Sequence, residues 1–69
     1  MALTPAQKHL IRGLKIFGCT MEETIGIALY ANTPEKRDEL MMYMAENRTA
    51  TPQDILEKLE QILSKYSNR

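Results

Sequence analysis

Sixty-nine residues with a single cysteine and a single histidine exclude an internal disulfide and a Cys/His structural zinc site, so helix packing, with or without self-association, must hold this chain. At 43% hydrophobic and 26% charged, with three Gly and three Pro, the composition is that of one ordinary globular domain and too apolar for intrinsic disorder. Nine basic residues balance nine acidic ones, which speaks against strong non-specific nucleic-acid binding.

The charge is unevenly spread. Residues 1–20 carry Lys8, Arg12 and Lys15 and no acid. Residues 21–47 carry six acids against Lys36 and Arg37, and residues 48–69 carry four bases against three acids. No stretch approaches the roughly 18 to 20 apolar residues of a membrane span, and no basic n-region precedes an apolar run near Met1. These features and the lone thiol lead to an expectation of a cytoplasmic protein.

The first helix is expected over about 5–17. Thr4 is its cap, Pro5 occupies the first helical position, and Gln7 completes a capping-box spacing. Ala6, Leu10, Gly13, Leu14 and Phe17 fall on one face, flanked by Ile11 and Ile16. Lys8, Arg12 and Lys15 lie within about 60° of one another on the opposite face. Gly18 is the stop, since glycine accepts a left-handed conformation.

The second helix is expected over 21–31, opened by the capping box of Thr20 and Glu23. Glu22 and Glu23 sit where the helix dipole favours negative charge, and no charge follows between Thr24 and Thr33. Met21, Ile25, Ala28 and Leu29 form one apolar face, with Ile27 and Tyr30 on the other side. If the packing covers Ile27 and Tyr30, they are core; if it does not, they mark an interface. Asn32 is the expected left-handed terminator.

The third helix is expected over 34–46, with Thr33 as cap and Asn47 as terminator. Leu40, Met41 and Met44 make its core stripe. Met42 points elsewhere, near Glu35, Asp38 and Glu46, and with Tyr43 it forms a candidate contact patch. The fourth helix is expected over 52–66, capped by Thr51, with Ile55, Leu56, Leu59, Ile62, Leu63 and Tyr66 within about 120° of one another. Asp54 and Lys58 have the spacing of an i, i+4 charge pair, and Ser67-Asn68-Arg69 reads as a frayed end. Short connections between all four helices imply a compact all-α bundle of sequential neighbours.

Sites for chemistry are few. There is no Ser/His/Asp set, no glycine-rich phosphate loop and no metal-ligand spacing, so neither an enzyme nor a cofactor or metal protein is expected. His9 reads as an ordinary surface or boundary histidine. Cys19 precedes the cap of the second helix, where the dipole can activate a thiol; the alternative is a small filler in a tight turn.

The run Gly18-Cys19-Thr20-Met21-Glu22-Glu23-Thr24-Ile25, with Ala28 followed by Asn32, resembles the opening of DNA-binding helix-turn-helix units over about residues 18–44. That resemblance implies a recognition helix beginning Pro34-Glu35-Lys36-Arg37-Asp38-Glu39. It departs from the pattern in carrying more acid than base there, and in placing Asp38 where an apolar residue belongs. Only Lys36 and Arg37 could reach bases or backbone. The whole chain also resembles short uncharacterised bacterial helical proteins with a Gly-Cys-Thr…Glu-Glu-Thr core and a Thr-Pro-opened last helix, which implies no established activity.

Two expectations follow. One is a non-enzymatic protein-interaction or regulatory module, self-associating or docking a helical partner through Ile27, Tyr30, Met42 and Tyr43. The other is a small DNA-binding regulator using Lys8, Arg12, Lys15, Lys36 and Arg37 against phosphates, residues that would equally suit an acidic partner.

Overall fold

The computed structural model describes residues 3–67. Four helices follow one another without a strand among the described residues: α1 (Pro5–Ile16), α2 (Met21–Tyr30), α3 (Pro34–Glu46) and α4 (Pro52–Ser67). Phe17 and Ala31, expected as the last helical residues of α1 and α2, serve as their C-caps. α4 extends one residue past expectation: Ser67 is helical, its hydroxyl donating to the Ser64 carbonyl at 3.2 Å. Asn68 and Arg69, expected to fray, lie outside the described residues.

All four threonines expected as caps, Thr4, Thr20, Thr33 and Thr51, cap their helices. Thr4 and Gln7 exchange both capping-box hydrogen bonds, at 3.2 Å to the Thr4 Oγ1 and 2.9 Å to the Gln7 Oε1. Thr20 and Glu23 do the same at 3.1 and 2.8 Å. Thr33 Oγ1 accepts from the Lys36 N–H at 3.3 Å. Thr51 Oγ1 accepts from the Asp54 N–H at 3.2 Å, while Asp54 Oδ2 accepts from the Thr51 N–H at 3.0 Å. These bonds satisfy backbone donors that a helix start leaves open. They also engage Asp54 otherwise than expected: its carboxylate caps α4, and Lys58 sits over the Tyr43 ring, 5.7 Å from the centroid.

The turn after α1 is a Schellman motif. The Gly18 N–H donates to the Lys15 carbonyl at 3.0 Å and the Cys19 N–H to the Leu14 carbonyl at 3.2 Å, which requires the positive φ of 91° at Gly18. Asn32 does not act as a left-handed terminator, because no non-glycine residue among those described has positive φ. The α2–α3 turn is held instead by side chains of α3. Arg37 Nη1 donates to the Ala31 carbonyl at 3.3 Å, and Lys36 Nζ donates to Asn32 Oδ1 at 3.1 Å. Two cations thereby sit at the negative end of the α2 dipole.

α1 packs on α2 and α3 on α4, and the two hairpins join chiefly through α2 and α4. Leu10, Leu14, Ile27, Leu40, Ile55 and Ile62 are the fully buried large side chains. Met44 is also buried, its Cε standing 3.4 Å from where a Cβ on Gly13 would lie. Gly13 therefore leaves room for the end of the Met44 side chain against α1.

α2 departs most from the sequence-based expectation. Its buried residues are Thr24, Ile27, Ala28 and the C-cap Ala31, spaced i, i+3, i+4, i+7. The expected face of Met21, Ile25 and Leu29 is largely exposed, and only Ala28 of that set is core. Small side chains allow neighbouring helices to pack close, so the arc carrying two alanines and a threonine beside Ile27 turns inward, while Met21, Ile25, Leu29 and Tyr30 turn out. The Thr24 hydroxyl donates to the Met21 carbonyl at 2.7 Å, which removes the cost of burying it. On α1, Ile11 is core and Ala6 is exposed, reversing their expected roles.

Candidate interaction surface

α2 carries no charge after Glu23, yet five of its ten residues are exposed. Tyr30 is 63% exposed, and Met21, Ile25 and Leu29 join it as exposed large apolar side chains. Ile27, placed in the same candidate patch as Tyr30 by sequence, is 1% exposed and belongs to the core. It shares the inward arc of Ala28 and Ala31 and belongs to the same core cluster. Of the four candidate contact residues, then, Tyr30 and Met42 are exposed, Tyr43 is half-buried beneath Lys58, and Ile27 is covered.

On one flank of α2 a shallow cleft runs between α1 and α2. Its floor is Leu3, Ile11, Met21 and Ile25, and its edge is Lys8, Arg12 and Lys15. The three cations are exposed, and none of them makes an ion pair or side-chain hydrogen bond among the described residues. On the other flank, Tyr30, Gly26, Leu56 and Leu63 line a second groove between α2 and α4, edged by Glu23 and Glu60. A Cβ at Gly26 would meet nothing within 4 Å, so this glycine leaves open space beside Tyr30. Ile16, at the end of α1, is 85% exposed beside Phe17 and Met41.

α3 presents a third surface. Met42, 62% exposed, lies opposite the buried Leu40 and Met44. Glu35, Asp38 and Glu46 are exposed on the same arc. Beside it, Glu39 is occupied: Lys65 Nζ donates to it, as does the Tyr66 hydroxyl. Those two hydrogen bonds hold the Glu39 carboxyl below its ordinary pKa and push Lys65 and Tyr66 above theirs.

The remaining candidates resolve by position. Lys36 and Arg37 are half-buried and engaged at the α2 terminus. Cys19 is buried, and desolvation followed by the nearby Glu23 charge raises its thiol pKa. Its place at a helix start does not activate it, because burial and a carboxylate oppose the dipole. His9 is exposed. No group of three or more His, Cys, Asp or Glu among the described residues could hold a metal ion, and no described helix is long and apolar enough to cross a membrane.

Sequence reasoning missed Met21, Ile25, Leu29 and Ile16 as surface. The line Thr24-Ala28-Ala31 was the available signal, since small residues at i, i+4, i+7 mark the side on which helices approach. The chain matches no protein-family model, no curated protein and no solved structure.

Proposed function

We propose that this chain is a non-enzymatic protein-interaction module that covers the outward face of α2 against a protein partner. The observation that carries the reading is the exposure of Met21, Ile25, Leu29 and Tyr30 on a helix with no charge after Glu23. Scattered apolar side chains are normal on a surface, but here they share one helix, and Met21, Ile25 and Tyr30 border two grooves. Tyrosine and methionine are also side chains that interfaces favour.

A photo-crosslinking residue at Tyr30 tests this in cells, with the same residue at Gln61, an exposed polar position of α4, as control. A discrete protein adduct is expected from position 30 and not from position 61. Equal adducts at both positions, or none at either, would remove the reading.

A second reading, a DNA-binding regulator, draws support from Lys8, Arg12 and Lys15, which are unpaired among the described residues. Three phosphate contacts would make log K fall with log salt at a slope of about −2.7. It is the weaker reading, because Lys36 and Arg37 are engaged within the fold and α2 and α3 pack little against each other beyond their turn. Backbone amide shifts unmoved by a DNA duplex at low salt dispose of it.

A further inference from the structure

The basic edge of the α1–α2 cleft and the acidic arc of α3 are complementary, and both belong to the same chain. Lys8, Arg12 and Lys15 stand beside the apolar Met21 and Ile25. Glu35, Asp38 and Glu46 stand around the exposed Met42. The count is three cations against three anions, with an apolar centre on each side. None of the six charged groups makes an ion pair or side-chain hydrogen bond among the described residues.

We propose that the α1–α2 cleft of one copy seats the acidic outer face of α3 of a second copy, with Met42 entering between Met21 and Ile25. The inference rests on the interaction-module reading and names its partner. The two surfaces lie on different hairpins, so the contact is head-to-tail. Each docked pair then keeps one free surface of each kind, and assembly continues until a ring closes or the concentration limits it. Opposite charges fix the register, while the apolar contact provides a small dry centre. An anionic membrane or nucleic acid would use the cations alone and leave Met42 and its acidic neighbours without a role.

Sedimentation velocity on the full chain tests this, at 50 and 500 mM salt and from micromolar to millimolar concentration. Two variants neutralise one surface each: Lys8→Gln/Arg12→Gln/Lys15→Gln and Glu35→Gln/Asp38→Asn/Glu46→Gln. All six positions are exposed, and circular dichroism checks that both variants fold. The wild type is expected to self-associate with concentration, weakening by about tenfold in the higher salt. Each variant alone should stay monomeric. An equimolar mixture should give a one-to-one dimer and nothing larger, because only one complementary pair of surfaces remains.

A wild type that stays monomeric at millimolar concentration in low salt overturns the proposal. So does association that persists in both variants, which would route it through another surface such as Tyr30. The crosslinking at Tyr30 is read independently, so a partner found there with no salt-sensitive self-association leaves the module reading standing and this inference refuted.

Discussion

Lys65 donates to Glu39 at 2.6 Å and joins the last turn of α4 to the middle of α3, 26 residues earlier in the chain. The Tyr66 hydroxyl donates to the same carboxylate oxygen at 3.0 Å. Folding lowers the Glu39 pKa, so its contribution is present above the ordinary carboxylate range and is lost as pH falls through the folded value. Lys65 and Tyr66 are raised, so theirs is present below their ordinary values and lost as pH rises through the folded ones. Glu39→Gln is expected to flatten the acid limb of the thermal stability profile below the ordinary carboxylate range, where the wild type loses the charged pair. An acid limb of unchanged steepness in the variant would place the pH sensitivity elsewhere.

Ile27 and Tyr30 lie three residues apart on α2 and differ in exposure from 1% to 63%. Ile27→Ala is expected to cost about 2–5 kcal/mol through lost burial and a residual cavity. Tyr30→Ser should stay within about 0.5 kcal/mol, as surface substitutions do. Urea denaturation of both variants measures the contrast. Similar losses in the two would mean that Tyr30 is covered in solution.

Gly18 has the positive φ that the Schellman turn demands. Gly18→Ala should destabilise by about 1 kcal/mol or more, since an L side chain is strained in that conformation. Alanine at Gly26, which has open space and ordinary helical geometry, should stabilise by about 0.5–1 kcal/mol in the same urea titration. A loss at position 26 would reveal a neighbour that needs the space.

Cys19 is buried and its thiol pKa is raised by desolvation and Glu23. Its reaction with a disulfide reagent at neutral pH should be far slower in the folded chain than in urea. Modification in native buffer at the unfolded rate would contradict the buried position.

The sequence made the helix starts plain, because each is written in a few adjacent residues: Thr4 with Gln7, Thr20 with Glu23, Thr33 before Pro34, Thr51 before Pro52. The core of α4 was equally legible, since its apolar residues occupy one arc. α2 was not, because a helix apolar nearly all round has no periodicity to say which arc faces in. Its neighbours decide, and they select Thr24, Ala28 and Ala31 for their size rather than their hydrophobicity. The engagement of Lys36 and Arg37 was hidden for a related reason: it depends on the chain reversal that brings α3 back over the end of α2. The charge asymmetry between α1 and α3 was visible from the first, whereas its apolar counterparts at Met21 and Ile25 emerged only with the packing.

The pairing of each helix with its successor, α1 with α2 and α3 with α4, bears on how fast the chain reaches its native state. Partners so near in sequence incur little loop-closure entropy before their contacts form. Helical proteins built this way fold in microseconds to milliseconds. Each hairpin can form around its own threonine-capped turn, leaving the meeting of α2 and α4 as the step that requires the whole chain. Substitutions at Ile27 should then act mainly on the unfolding rate, while loss of the Thr20 or Thr51 cap should slow refolding, a division that stopped-flow kinetics would resolve.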